Sequence, residues 1–154
     1  MFNKLRRKDK GMDINKTLDL ITTNDYGTFS TISNSGYPYS IPVNYVFIDN
    51  KIYFHCATEG HKINNILENN KVCFTVVGNS NVIPEKFSTS YSSAVIFGRA
   101  SICDNTEKNI ILAKLLEKYA PNFLESGMKY INASSHNTYV VQIDIDDLTG
   151  KQSL

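Results

Sequence analysis

The sequence predicts a mainly β protein of the α+β class, with six antiparallel strands forming a barrel and helices packed around it. Three observations predict it. Six runs are rich in β-branched and aromatic residues, and each is bounded by turn-forming residues. Helical patterns fall between some of these runs and not others, so the regular βαβ alternation of a doubly wound parallel sheet is missing. Turn-forming pairs such as Asp49-Asn50 join neighbouring runs directly, as antiparallel partners allow.

Taken in order, the chain opens with a helix from about Asp13. Ile14, Thr17, Leu18 and Ile21 share one face, and the Asp13 carboxylate is placed as its N-cap. Gly27–Ser33 is the first strand and ends in the turn Asn34-Ser35-Gly36. Tyr39–Ile48 reads as one long strand. Pro42 removes a ladder donor from it and so places it at an edge or a bulge, leaving backbone groups free to meet a ligand. Asp49-Asn50 turns the chain into Lys51–Cys56, and a helix follows Gly60. Val72–Val77 is the next strand, Gly78 to Ser90 a polar loop, and Tyr91–Ile102 a long strand with Gly98 as candidate bulge. Thr106 is placed to cap a helix over Glu107–Tyr119, which Pro121 stops. A shorter helix runs through Leu124, Met128 and Ile131, and Thr138–Ile145 is the last strand.

At 154 residues the chain fits a single domain, 1–154, with residues 1–12 as a basic arm centred on Lys4–Lys10. Sixteen basic against fifteen acidic residues leave a net charge of +1, too little to recruit nucleic acid or an anionic membrane. No stretch approaches the roughly 18 apolar residues of a membrane span. The N-terminus lacks the apolar core of a secretory signal. Cys56, Cys73 and Cys103 lack zinc-ligand or redox-motif spacing and read as reduced thiols of a cytoplasmic protein.

The segment Lys51–Asn70 carries the sharpest chemical signal. A strand turns at Thr58–Gly60 into a helix whose first residues are His61 and Lys62. A helix N-terminus offers unpaired N–H groups and partial positive charge, so cations there are unfavourable unless an anion is present. A phosphate-bearing ligand satisfies that mismatch; a solvated lysine at an ordinary strand–helix junction is the alternative. His55 ends the strand leading into this turn and is either a rim residue or a ligand contact. Cys56, its neighbour, points to the opposite face of the strand, so the two cannot form a nucleophile–base pair. Asn44, Tyr45, Ser92 and Ser93 are further polar residues that could ring one mouth. No two histidines share a helical i,i+4 spacing and no acidic cluster accompanies them, so no metal site is expected. The signatures of serine hydrolases, P-loop proteins and Rossmann folds do not occur.

The runs YPYSIPVNYV at Tyr37–Val46, IYFHCATEGHK at Ile52–Lys62 and FSTSYSSAVIFGRA at Phe87–Ala100 resemble the FMN-binding split-barrel proteins. Within that pyridoxamine 5′-phosphate oxidase-like superfamily they are most similar to the nitroimidazole-resistance (Nim-type) branch, as are DLTGK at Asp147–Lys151 and RRKDK at Arg6–Lys10. The resemblance implies a six-stranded antiparallel split barrel and a homodimer with flavin at the subunit interface. It places the FMN phosphate at His61 and Lys62 and the isoalloxazine along the backbone of Val43, Asn44 and Tyr45. Ser92 and Ser93 match flavin-contacting strand positions, and His55 matches an active-site histidine. The implied activity is flavin-dependent reduction of a small molecule such as a nitroaromatic. A non-catalytic flavin- or haem-binding module is the alternative, with His55, His61 and His136 as the available axial ligands. The arginine- and tryptophan-containing region by which pyridoxamine phosphate oxidases hold their substrate has no counterpart in Thr149–Leu154, which argues against vitamin B6 oxidation.

Overall fold

In the computed structural model, which describes residues 2–153, the strands form one antiparallel sheet in the order β2-β1-β5-β6-β7-β4-β3. The strands are β1 (Tyr26–Ile32), β2 (Pro38–Asn44), β3 (Val46–Ile48), β4 (Lys51–Ala57), β5 (Lys71–Ile83), β6 (Ser88–Ile102) and β7 (Thr138–Ser153). The two edge strands, β2 and β3, are separated along the chain by Tyr45 alone. The sheet therefore curls until both edges reach one residue, and the chain rather than a ladder joins them. Helix α1 (Ile14–Thr23) precedes β1, α2 (His61–Glu68) joins β4 to β5, and α3 (Asn105–Tyr119) and α4 (Leu124–Ser134) lie between β6 and β7.

Seven strands stand where six are expected, because the run Tyr39–Ile48 breaks at Tyr45. The Tyr45 N–H donates to the Tyr119 hydroxyl at 2.9 Å, and its carbonyl accepts from the Lys118 ammonium at 3.0 Å. Side chains at the end of α3 thus replace the ladder at this residue, and the strand bends there. Pro42 does lie on an edge strand, opposite Thr28, where its missing N–H costs no ladder bond to a second neighbour.

Three further differences concern element boundaries. The segment expected as a polar loop is a hairpin extension: Ser80–Ile83 pairs with Ser88–Tyr91 beyond a register shift after Val77. Its Asn and Ser residues satisfy a two-stranded ribbon as readily as a loop. Helix α3 starts at Asn105, capped by Asp104, whose carboxylate accepts from Glu107 N–H at 2.9 Å, so Thr106 sits inside the first turn. Strand β7 continues through the DLTGK segment to Ser153, pairing with β6 as far as Tyr91. Elsewhere the residues behave as their types require. Asp13 caps α1 by accepting from Lys16 N–H at 3.0 Å. Asp49 and Asn50 both take positive φ, as a two-residue hairpin turn demands. Gly98 sits at the β6–β7 register shift, where a Cβ would strike the Asp144 carbonyl.

The barrel interior holds Phe29, Tyr45, Phe54, Phe74, Val76 and Ile96, all fully buried. A second cluster, with Val46, Tyr53 and Val140 from the strands and Ile111, Leu112 and Leu115 from α3, seals α3 to the outside of β3, β4 and β7. One sheet face has no helix over it, and there Phe2 of the N-terminal arm stacks on Phe97 at 5.2 Å between ring centroids. On β5 the buried residues Val72, Phe74 and Val76 alternate with accessible Cys73, Thr75 and Val77, and on β6 Phe97 remains 39% exposed.

Candidate functional site

Strand β4 delivers the chain to a turn that ends at Gly60, whose φ of 127° a side chain would strain. Helix α2 begins at once. No side chain caps it and no acidic residue lies in its first turn, so its leading N–H groups and dipole are uncompensated by the chain. His61 is its first residue and is exposed, and Lys62 is half-buried behind it. Among the described residues, no carboxylate forms an ion pair with Lys62. Its charge is felt at Cys56, where it opposes the upward push that burial gives the thiol pKa.

Residues from two other elements complete this corner. The His61 ring packs against the Tyr39 ring at 4.2 Å between centroids, and its Nε2 lies 3.2 Å from the Ser33 hydroxyl. Asn65, buried one turn further along α2, donates to Thr31 Oγ1 at 2.8 Å and to Ser33 Oγ at 3.4 Å. Ser33, Tyr39 and Asn65 had no sequence signal tying them to His61. Ser33 and Tyr39 flank the Asn34–Gly36 turn, and only the pairing of β1 with β2 carries them to α2.

The other expected site residues separate into different places. Val43 packs partly against the barrel core and Asn44 is exposed, its amide donating to the Asp25 carbonyl at 2.9 Å. Both belong to the edge strand β2. Tyr45 is a core residue: its ring meets Phe74 edge-on at 5.0 Å and its hydroxyl donates to the Ile21 carbonyl. Burial raises the pKa of that hydroxyl and keeps it a neutral donor. Since both its backbone groups are held by α3 side chains, Tyr45 does not offer the free backbone expected of it. Ser92 and Ser93 are half-buried on β6, opposite Gln152 and Lys151. The Ser92 hydroxyl lies against Gly78, where a Cβ would collide with it.

His55 does not join the His61–Lys62 corner. Strand alternation sends Cys56 to the Lys62 side and His55 to the other, towards α3 and α4. There it lines a cavity of about 200 Å³ with Leu112, Tyr130, Ile131, Ser134 and Thr138. The residue is exposed, yet the protein packed beside the ring disfavours its charged form and lowers its pKa. His136, the third histidine, is exposed and bonded to Asn137.

An antiparallel sheet of seven strands that does not close, its edges meeting at a single residue without a ladder between them, is consistent with the split-barrel class of proteins. Sequence comparison identifies the family. The sequence model of the pyridoxamine 5′-phosphate oxidase family matches residues 13–152, and the chain belongs to that family. No curated protein sequence matches it. Among solved structures it is similar to a candidate 5-nitroimidazole antibiotic resistance protein from Bacteroides thetaiotaomicron, at 25% identity and a TM-score of 0.78, over 92% of this chain and 86% of that one. It is similar in fold to a conserved hypothetical protein from Mycobacterium tuberculosis, at 17% identity and a TM-score of 0.83, over 97% and 90% of the two chains. A FAD and haem binding protein from Mycobacterium smegmatis shares the fold at 18% identity and a TM-score of 0.77, over 94% and 73%.

Proposed function

We propose that this protein is a flavin-dependent oxidoreductase that binds FMN and reduces a small molecule, with a nitroaromatic as the first substrate to test. The observation that carries the reading is the start of α2: leading N–H groups without a side-chain cap, with His61 and Lys62 beside them and no carboxylate in the first turn of the helix, Glu59 lying in the turn before it. That donor set fits a phosphate dianion, which would gain charge-assisted bonds from Lys62 and the helix dipole together. The likeness to a FAD and haem binding protein supports a flavin as the bearer of that phosphate. The free edge of β2 at Val43 and Asn44 offers unpaired backbone donors and acceptors to the heteroatoms of a flavin ring. Ser92 and Ser93 supply hydroxyls from β6. A bound flavin would supply electron transfer, while the protein holds, orients and shields it.

His55 is our candidate proton donor and substrate contact. Its cavity is smaller than the roughly 300–1,000 Å³ typical of ligand pockets, so it suits a small substrate. The likeness to the nitroimidazole-resistance protein supports a nitroaromatic. A second copy of the chain belongs to the reading. The face of β1, β5 and β6 that no helix covers holds an apolar hollow of about 270 Å³ walled by Ile32, Pro38, Val72, Cys73 and Phe97, beside the Phe2 ring, and a two-fold pairing would cover it.

One titration tests the proposal. FMN and riboflavin are added to wild-type protein and to Lys62→Ala, with flavin fluorescence and sedimentation followed together. The wild type should bind FMN as a dimer. Lys62→Ala should weaken FMN by about tenfold or more, the equivalent of roughly 1.5–3 kcal/mol for a charge-assisted contact, and leave riboflavin binding unchanged. Equal FMN affinity in the two folded proteins would sink the phosphate assignment.

A further inference from the structure

We propose that Asn65 is a positioning residue which, acting through Ser33, fixes neutral His61 with its proton on Nδ1 and so presents an N–H donor to the anion at the start of α2. The inference rests on the phosphate reading for its ligand, but its first half stands on hydrogen inventory alone. The Asn65 side chain is 4% exposed and its amide NH₂ points at two hydroxyls, Thr31 Oγ1 at 2.8 Å and Ser33 Oγ at 3.4 Å. Thr31 can pass its own proton on towards the Tyr39 carbonyl at 3.5 Å. Ser33 has a narrower choice. It is 7% exposed, and its hydroxyl has two polar neighbours, the Asn65 NH₂ and His61 Nε2 at 3.2 Å. The amide NH₂ only donates, so the Ser33 proton has one acceptor, the lone pair of Nε2. A hydroxyl proton left without a partner in this burial would be penalised. Nε2 must then be bare, and the ring proton of neutral His61 sits on Nδ1.

The ring cannot readily turn to undo this. Tyr39 packs on its face at 4.2 Å, and Ser33 holds one nitrogen. Among the described residues Nδ1 has no hydrogen-bond partner, and the side chain is exposed at the first position of α2. The network therefore turns a buried amide into an oriented donor at the surface without requiring a charged imidazole. Asn65 touches no ligand; it works by deciding which way the Ser33 proton points.

The test is ¹⁵N NMR of histidine-labelled full-length protein without flavin, at about pH 8.5, where an ordinary histidine is neutral. His61→Gln identifies the resonances among the three histidines. Wild-type His61 should show a protonated Nδ1 and a bare Nε2. Asn65→Asp replaces the donor with an acceptor of the same shape; it should capture the Ser33 proton and switch His61 to the Nε2–H form. Ser33→Ala should release the same switch, and Ser33→Thr should restore the wild-type form. A purely structural Asn65 would leave the ring proton where it was. In Ser33→Ala, FMN affinity should fall about tenfold, with riboflavin affinity unchanged. An Nε2–H tautomer in the wild type, or an Asn65→Asp protein that keeps Nδ1–H, overturns the proposal. FMN that fails to bind a wild-type protein with Nδ1–H overturns the phosphate reading instead, and upholds the tautomer.

Discussion

Two places in this barrel leave backbone polar groups outside the regular ladders, and the chain treats them oppositely. At Tyr45 the strand breaks, and α3 answers every exposed group. The Tyr119 hydroxyl takes the N–H, lies 2.8 Å from the Tyr45 carbonyl and 2.5 Å from the Asp25 carbonyl, while the Lys118 ammonium bonds the carbonyls of Asn24 and Tyr45. At Gly60 a helix starts, no side chain caps its N–H groups, and Lys62 in its first turn has no ion-pair partner among the described residues. Unmet hydrogen-bonding capacity is costly wherever water is kept out. A fold that closes one such gap with residues 74 positions away, and leaves the other facing solvent with charge of the wrong sign, separates a structural joint from a ligand site.

The largest effect should come from breaking the closed joint. Tyr45→Ala removes a fully buried ring packed on Phe74 together with the hydroxyl bond to Ile21. The expected loss of unfolding free energy, read from urea denaturation, is about 3–5 kcal/mol, as for other aromatic truncations in cores. Lys62→Ala should change it little. If Lys62→Ala destabilised the fold as much, the distinction between joint and site would fail.

The same contrast explains what could be read in the sequence. The strands, the Asp49-Asn50 hairpin, the Asp13 cap, the Gly98 irregularity and the edge position of Pro42 were legible because each depends on residues near in sequence. The separation of His55 from Cys56 followed from strand parity. The break at Tyr45 was not legible, since its cause lies at Lys118 and Tyr119 on another element. The pairing of Ser33 with His61 and Asn65 was hidden for the same reason, at separations of 28 and 32 residues. The extended β5–β6 hairpin was missed because its Asn and Ser residues carry the composition of a loop while its pairing is set by the barrel strands that feed it.

A smaller effect should follow at the second clamp of the joint. Lys118→Met keeps the aliphatic stem but deletes the ammonium, which sits 4.5 Å over the Tyr45 ring and donates to the carbonyls of Asn24 and Tyr45. The Asn24 carbonyl then loses its Lys118 donor, and the Tyr45 carbonyl depends on Tyr119. Urea denaturation should show a loss of about 1–3 kcal/mol, typical of hydrogen bonds to a charged group and of a carbonyl left wanting. FMN affinity should hold. A drop in affinity comparable to that of Lys62→Ala would mean the joint and the site are coupled, and the two regions would have to be treated as one.

The smallest effect concerns the third region, the His55 cavity, which is neither closed nor open. Burial lowers the His55 pKa below its ordinary 6.5, so as pH falls the unfolded chain takes up this proton before the folded one does. The stability tied to neutral His55 is complete above 6.5 and is lost as pH drops from there to the folded-state pKa, below which the loss is constant. Comparing urea midpoints at about pH 7.5 and about pH 5 should therefore show a smaller acid-induced drop in His55→Gln than in the wild type. Equal drops would mean that the ring is solvated like any surface histidine and the cavity wall does not press on it. The same variant decides its role in turnover. If His55 serves as proton donor, His55→Gln should retain its flavin but lose most activity per bound flavin with an accepted nitroaromatic. If activity per flavin is intact while the pH response is flattened, the histidine is a wall of the barrel rim, and the proton must come from elsewhere.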